Sequence, residues 1–154
     1  MYLQLQKNYP EYGITDEEIE AVAHLAPIHD IGKIKVDVKI LQKPARLTDE
    51  EFAEIKKHTV YGFAMISPKD DMIASLILSH HERWDGFGYP KHLKEEEISI
   101  EGRITAIADV FDALGSDRVY KEAWEDERIF EYFKEQQGKQ FDPKLVDLFF
   151  ENLD

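Results

Sequence analysis

The amino-acid sequence predicts an all-α fold, a helical domain of about six to seven helices without a sizeable sheet. Apolar residues recur at intervals of three and four, and capping residues precede several of these segments. No alternating strand pattern of comparable strength accompanies them. The chain has 154 residues, a length that suits one hydrophobic core, so we expect residues 1–154 to form a single domain.

The first predicted helix begins after Thr15. Thr15 and Glu18 have the spacing of a capping box, in which each side chain bonds the other residue's backbone N–H. Apolar residues follow at helical spacing from Ile19 to Ala26. The helix is therefore predicted to run to about Asp30.

The second and third helices are predicted by the same reasoning. Thr48 and Glu51 repeat the capping box, and the apolar pattern then continues toward Pro68. Proline ends this segment because it has no N–H for the helical hydrogen bond. The spacing of apolar residues over 72–77 predicts a third helix, which continues toward His80.

Residues 82–98 are predicted to form a long structured loop. Turn-forming glycines and a proline come first, and a charged stretch follows. Loops longer than about 12 residues in compact domains are usually functional or disordered. The aromatic residues Trp84, Phe87 and Tyr89 favour a functional loop over a disordered one.

Three further helices complete the prediction. Ser99 caps a fourth helix that extends to Leu114 with an apolar stripe. Residues 126–137 form the fifth, and Gly138 is its stop signal. Asp142 caps the sixth, which has proline at its first position and an amphipathic pattern beyond it.

Charge and composition exclude several classes of partner. The chain has 19 basic and 32 acidic residues, so its net charge is −13, and such a surface repels DNA and RNA. A phosphate-bearing ligand would need a local positive region or metal ions. No cysteine is present, which excludes disulfides and thiolate zinc sites. No apolar run of about 18 residues predicts a membrane span, and residues 1–10 do not resemble a signal peptide. We therefore expect no membrane partner and a cytoplasmic location.

Two pairs of residues carry the clearest chemical pattern. His29 and Asp30 are adjacent at a helix end, and His80 and His81 are adjacent at another. Imidazole and carboxylate together suit Mn²⁺, Fe²⁺, Zn²⁺ or Ni²⁺ without selecting among them. Asp109 lies within an apolar stripe, where a carboxylate is costly to bury unless it is paired or bound to metal.

Single histidines and carboxylates in this sequence also have an interpretation as ordinary structural residues. Taken alone, His58 is more often a surface residue or a hydrogen-bonded core residue than a ligand, and Asp109 could lie at the edge of its stripe. His24 and His92 have no partner in the sequence pattern, and we assign them no role.

Five motifs in a fixed order favour the chemical interpretation. The motifs are residues 29–33 (HDIGK), 80–86 (HHERWDG), 88–90 (GYP), 108–114 (ADVFDAL) and 116–118 (SDR). In this order they resemble the HD-GYP subgroup of the HD superfamily of metal-dependent phosphohydrolases, over residues 14–150. The resemblance implies a compact HD-type helical domain that degrades cyclic di-GMP, a bacterial second messenger.

The resemblance also implies two divalent metal ions, iron or manganese, with zinc or nickel as alternatives. Asp30 would bridge the two ions and would be catalytic together with Lys33. The implied ligands are His29, Asp30, His58, His80, His81 and Asp109. The implied contacts to the substrate are Lys33, Tyr89, Asp112, Arg118 and Lys121.

The implied reaction is hydrolysis of a phosphodiester bond through a metal-activated hydroxide. Two cations lower the pKa of a water and bind a phosphate oxygen, and Lys33 can stabilise the charge that develops. The products would be a linear dinucleotide, GMP or both. A homodimer or an upstream sensor or receiver domain would be the protein partner.

One departure from the family's pattern concerns the amino-terminal residues. The family has a further helix with a metal-binding histidine, but residues 1–13 contain no histidine, and Gln4, Gln6 and Glu11 lack the expected spacing. We therefore expect the family's first helix to lie upstream of residue 1, and one metal site to be incomplete. Two alternatives stay open: an HD phosphohydrolase for another nucleotide, and a non-catalytic regulatory module that binds a nucleotide or a partner.

Overall fold

The computed structural model describes residues 1–66, 71–116 and 123–151. Within these residues the regular secondary structure is helical, and the β pairing is one isolated bridge between Gln137 and Phe141. The all-α prediction is confirmed. The helices are α1 (Tyr2–Asn8), α2 (Asp16–Leu25), α3 (Val38–Leu41), α4 (Asp49–Lys56), α5 (His58–Ile66), α6 (Asp71–Ser79), α7 (Ile100–Gly115), α8 (Asp126–Gln136) and α9 (Pro143–Phe150).

The described residues thus form nine α-helices, against an expectation of about six to seven. Two of the additional helices, α1 and α3, are only 7 and 4 residues long. Helix α1 buries Tyr2 and Leu5, which lie one turn apart. One turn contains too few apolar positions for a period to be recognised in the sequence.

Helix α2 ends earlier than the sequence predicts. The capping box of Thr15 and Glu18 is present, but the α-helix stops at Leu25. Pro27 lacks the N–H that the next turn would need, and the backbone tightens into a 3-10 turn over Ala26–Ile28. A second 3-10 turn, Ile31–Lys35, follows immediately. The residues between these two turns therefore lie outside any α-helix.

The second predicted helix is divided into α4 and α5 at Lys57. The reason lies in two side chains just beyond the break. His58 donates through Nδ1 to the carbonyl oxygen of Ile55, and the Thr59 hydroxyl donates to that of Lys56. These bonds satisfy carbonyl groups that a helix end leaves without partners. The sequence pattern does not contain this information.

Helix α6 lies at the centre of the molecule and packs between α5 and α7. Its apolar residues Ile73, Leu76 and Ile77 are almost fully buried. Burial of each such side chain contributes about 1.5–3 kcal/mol to folding. Because α6 ends at Ser79, its rigid core position fixes the two histidines that follow.

None of the helices in the described ranges is both long and apolar enough to cross a membrane.

Candidate metal centre

Four segments bring the predicted ligands together at one end of α6. The turn after α2 carries His29 and Asp30, and His58 is the first residue of α5. His80 and His81 follow the end of α6, and Asp109 belongs to α7. A close approach of the backbone allows this meeting. A Cβ at Gly32 would overlap the carbonyl oxygen of His58 and lie 2.6 Å from the backbone N of Gly62. Only glycine lets the turn lie directly on α5.

The histidine rings are oriented by backbone carbonyl groups one turn earlier. In each case the ring Nδ1 is the atom that contacts the carbonyl oxygen, and an oxygen of this kind can only accept. Nδ1 therefore carries the hydrogen, and Nε2 of the neutral ring keeps a free lone pair. The carbonyl groups are those of Ala26 for His29 (2.9 Å), Ile55 for His58 (2.8 Å) and Ile77 for His80 (2.8 Å).

The Nε2 atoms of His58 and His80 lie near one buried carboxylate oxygen. Oδ1 of Asp30 lies 3.2 Å from Nε2 of His58 and 4.0 Å from Nε2 of His80, and the two nitrogens are 3.5 Å apart. Oδ1 is buried and accepts no hydrogen bond from the described residues. With His81, these residues place four donor atoms within 4.8 Å of one another. Electron-rich atoms so close together repel unless a cation lies among them, so this donor set fits a metal ion.

The protonation states of these groups also suit a cation. Burial, together with the neighbouring His81 ring, holds the pKa of His80 well below its ordinary value. Burial and the nearby His58 lower the pKa of His81 to about 4. Burial alone would raise the pKa of the Asp30 carboxyl. The His58 ring and the Lys33 ammonium lower this pKa by more than burial raises it, so the net shift is strongly downward. At neutral pH the cluster therefore offers the neutral imidazoles of His80 and His81 and the ionised carboxylate of Asp30.

The other oxygen of Asp30 belongs to a second group of residues. Oδ2 accepts a hydrogen bond of 2.5 Å from Nζ of Lys33 and lies 3.6 Å from Nε2 of His29. Nε2 of His29 is also 3.6 Å from Oδ1 of Asp109. The Asp109 carboxylate raises the pKa of His29, and the same contact lowers the pKa of Asp109. Asp30 thus lies between two groups of predicted ligands, one with three imidazoles and one with His29 and Asp109.

A cavity of about 360 Å³ opens beside the cluster. His80, His81 and Asp109 form part of its wall. The Tyr89 ring also lines it and stacks on His81, with ring centres 4.9 Å apart and an angle of 28° between the planes. A ligand in this cavity would therefore lie directly against the predicted metal ligands.

The loop that carries Tyr89 is held by a carboxylate for which the sequence suggested no role. Glu82 is 3% exposed, and its carboxylate accepts hydrogen bonds from the backbone N–H groups of Lys91 (2.7 Å) and Leu93 (3.1 Å). A buried carboxylate needs such partners to offset its lost hydration. The only signal in the sequence is the position of Glu82, directly after a histidine pair and at the start of the long loop.

The predicted substrate residues are distributed more widely. Lys33 is bonded to Asp30, and Tyr89 lies in the cavity wall. Asp112 is exposed and lines a different cavity, of about 330 Å³, on the side of His29 that faces α2. Arg118 and Lys121 lie outside the described residues.

Two residues without a firm sequence assignment can also be placed. His92, to which the sequence assigned no role, lines the 360 Å³ cavity. Gln6, considered as a substitute for the missing ligand, instead donates to the Ile14 carbonyl oxygen (3.1 Å) and to the Asp16 carboxylate (2.8 Å). Its amide is therefore engaged away from the cluster.

The chain matches a family model described as "HD domain" over residues 11–145. It is 43% identical over 147 residues to "3'3'-cGAMP-specific phosphodiesterase 2" of Vibrio cholerae, covering 93% of this chain and 28% of the relative. It is 43% identical to "Cyclic di-GMP phosphodiesterase response regulator RpfG" of Xanthomonas campestris (89% and 37% covered). It is 44% identical to "Cyclic di-GMP phosphodiesterase" of Thermotoga maritima (90% and 39%).

The chain thus spans 28–39% of the length of these curated relatives. Among solved structures it is similar to a cyclic GMP-AMP-specific phosphodiesterase of Vibrio cholerae, with a TM-score of 0.66 and 19% sequence identity. That match covers 91% of this chain and 40% of the other. At this identity the likeness concerns the fold, and it agrees with the helical architecture described above.

Proposed function

The chain belongs to the HD domain family, and on this premise we propose that it is a metal-dependent phosphodiesterase of cyclic dinucleotides. The observation that carries the proposal is the cluster of Asp30, His58, His80 and His81, which meets at one buried carboxylate oxygen and opens into a cavity. Such a centre can act on a phosphate ester, whereas a surface of net charge −13 alone would repel one.

Two divalent ions, iron or manganese, would share the Asp30 carboxylate. His58, His80 and His81 would hold one ion, and His29 and Asp109 would contribute to the other. When bound, the ions supply positive charge that lowers the pKa of a water and attracts a phosphate oxygen. The division of Asp30 between the two ligand groups supports this assignment.

The protein's own residues would then orient the substrate and offset its charge. The Lys33 ammonium, bonded to Asp30 in this structure, would turn toward the phosphate and stabilise the charge that develops during cleavage. Tyr89 would contact the ligand from the cavity wall, where its stacking on His81 limits the freedom of its ring. Asp112, Arg118 and Lys121 are further proposed contacts to the substrate, Arg118 and Lys121 to its phosphate or guanine.

Cyclic di-GMP is the substrate we propose, with a linear dinucleotide, GMP or both as products. The names of the Xanthomonas and Thermotoga relatives support this choice. The Vibrio relative of 43% identity is named for 3'3'-cGAMP, and this observation makes 3'3'-cGAMP the second candidate.

A substrate panel distinguishes these candidates. The protein is loaded anaerobically with Mn²⁺ or Fe²⁺ and given cyclic di-GMP, 3'3'-cGAMP or cyclic di-AMP at equal concentrations, and products are separated by chromatography. We expect the highest kcat/KM with cyclic di-GMP. Faster cleavage of 3'3'-cGAMP would favour the second candidate, and cleavage of none, with metal bound, would favour a non-catalytic binding module.

The relatives also support a proposal about partners. The Xanthomonas relative is named a response regulator, and we propose that this domain likewise functions with a receiver or sensor domain, or as a homodimer. Measurement of the oligomeric state of the full-length protein by light scattering tests the dimer.

A further inference from the structure

Two aromatic side chains at the rim of the 360 Å³ cavity have no part in the metal centre described above. Phe52 belongs to α4 and Phe87 to the loop between α6 and α7, and both line the cavity. Phe52 is 47% exposed and Phe87 is 84% exposed. Single exposed aromatics are ordinary on protein surfaces, but two on separate elements at the rim of one cavity form a local apolar surface for a flat ligand.

A cation lies beside these rings. Nζ of Lys56 is 5.1 Å from the ring centre of Phe52 and 5.7 Å from that of Tyr89, and Lys56 lines the same cavity. No carboxylate of the described residues forms an ion pair with Lys56, whereas Lys33 pairs with Asp30. In a chain of net charge −13, an ammonium group left free of acidic partners is available to a bound anion.

The substrate class contains groups that match this surface. A cyclic dinucleotide has two phosphates and two bases, and only one phosphate can lie at the metal ligands during a cleavage step. The second phosphate and at least one base must therefore contact protein beyond the cluster. Purine faces stack on aromatic side chains, and phosphates bind ammonium groups.

We infer that Phe52, Lys56 and Phe87 form a subsite for the half of the cyclic dinucleotide that is not being cleaved. The two rings stack on a purine base, and the Lys56 ammonium faces the second phosphate. This inference rests on the proposed function. It assigns a binding role to three residues that lie outside the five sequence motifs, and Phe87 stands between two of those motifs.

The position of the subsite determines which kinetic constant depends on it. The rim is separate from the ligand cluster, so its contacts form when the substrate binds and persist as the bond breaks. Loss of such a contact raises KM and changes kcat little. Base–aromatic stacking of about 1–3 kcal/mol corresponds to a change in KM of about five- to 150-fold.

The test uses two substitutions and two matched controls. Phe87→Ala removes a stacking ring, and Lys56→Gln removes the ammonium. Phe130→Ala removes another partly exposed ring that lines a different cavity, and Lys57→Gln removes the neighbouring charge, which is paired with Glu54. Each protein is loaded with metal, and its kcat and KM are measured with cyclic di-GMP and with methyl p-nitrophenyl phosphate, a diester without a purine.

We expect Phe87→Ala and Lys56→Gln each to raise KM for cyclic di-GMP about ten-fold, with kcat retained and cleavage of the simple diester unchanged. The control variants Phe130→Ala and Lys57→Gln retain the kcat and the KM of the unaltered protein. Phe87→Tyr keeps a stacking ring and retains the KM, whereas Phe87→Leu keeps apolar volume without a flat face and does not. This last comparison separates stacking from a general structural effect.

Three outcomes overturn the inference, and each is distinguishable from the others. If the unaltered protein cleaves cyclic di-GMP and both substitutions leave KM within two-fold, the subsite is wrong and the proposed function stands. If the substitutions impair both substrates equally, the residues affect the whole site and do not recognise the nucleotide. A protein that cleaves the simple diester but none of the cyclic dinucleotides contradicts the proposed function, and the subsite with it.

Discussion

At the scale of single residues, the chemistry depends on atoms whose partners are fixed by the backbone. The sequence identified the side chains of the cluster because they lie in motifs of fixed order. It could not identify the carbonyl groups of Ala26, Ile55 and Ile77 that set the ring orientations, since any residue type supplies a carbonyl. Candidate ligands can thus be predicted from the sequence, while the orientation of their rings depends on the folded backbone.

The first residue-scale prediction concerns Gly32. Gly32→Ala would place a methyl group against the His58 carbonyl, and the turn would have to move away from α5. We expect the free energy of unfolding to fall by about 1–3 kcal/mol, as for other overpacked sites, and the bound metal per chain to fall with it. Urea unfolding and elemental analysis measure the two effects.

Gly115→Ala is the matched control, because an added Cβ there meets only an ordinary contact, 3.8 Å from Ile129. We expect that variant to keep full metal content. A Gly32→Ala protein with unchanged metal content would show that the close approach of the turn to α5 does not position Asp30.

At the scale of elements, the capped helices were predictable and their interruptions were not. The capping boxes at Thr15 and Thr48 are local in sequence and occur as predicted. The division between α4 and α5 depends on side-chain bonds to carbonyl groups, and α1 is too short to show a period. The long loop was predicted from composition, but its attachment to Glu82 is a tertiary contact.

The loop's attachment gives a second prediction. Glu82→Gln replaces one accepting oxygen with an NH₂ group, so one of the N–H groups of Lys91 and Leu93 loses its partner. An unsatisfied buried donor costs about 1–3 kcal/mol, and the affected amide should exchange its hydrogen about ten-fold faster or more. Hydrogen exchange followed by NMR measures this directly.

Glu95→Gln changes an exposed residue of the same loop and serves as the control. Equal exchange rates in the Glu82→Gln protein and the unaltered protein would mean that other contacts hold the loop. The position of Tyr89 beside His81 would then have another cause.

A buried ion pair that joins α7 to the start of α9 gives a third prediction. Nη1 of Arg103 donates to Oδ2 of Asp142 at 2.7 Å, and both residues are buried. Asp142→Ala leaves the guanidinium without its partner and removes the cap of α9, where Asp142 accepts from the Lys144 N–H. We expect a loss of about 3–5 kcal/mol in the free energy of unfolding, measured with urea.

The exposed pair of Lys134 and Asp147 provides the comparison. Asp147→Ala should cost no more than about 1 kcal/mol, because water screens the pair. Similar losses in both variants would show that the buried Arg103–Asp142 pair contributes no more to the free energy of unfolding than an exposed pair does.

At the scale of the whole molecule, a net charge of −13 opposes both folding and the approach of an anion. The proposed solution is local: ions held by the cluster would lie beside the cavity that Lys56 lines, and the Lys33 ammonium is bonded to Asp30 of the same cluster. The net charge alone predicted that a phosphate-bearing ligand needs a local positive region or metal ions. The sequence could not show that Phe52 and Lys56 of α4 line the same cavity as Phe87, because that proximity depends on the packing of distant segments.

The charge itself gives a fourth prediction. Raising NaCl shortens the Debye length from about 30 Å at 0.01 M to about 8 Å at 0.15 M, and repulsion among the acidic residues is screened. We expect the Tm of the metal-free protein to rise over this range, as measured by circular dichroism. A fall in Tm would mean that the surface ion pairs outweigh the repulsion.

Turnover of cyclic di-GMP by the protein loaded anaerobically with Mn²⁺ or Fe²⁺, compared with turnover by its Asp30→Asn variant, tests whether the cluster is a catalytic metal centre. Asp30 lies between both ligand groups, so we expect its loss to reduce bound metal and lower kcat by about 100-fold or more. Asp16→Asn, at the exposed start of α2 and thus at the opposite end of that helix from His29, should retain activity. Equal turnover by the Asp30→Asn variant would show that the buried carboxylate has no part in the reaction, and the proposed metal centre would then be wrong.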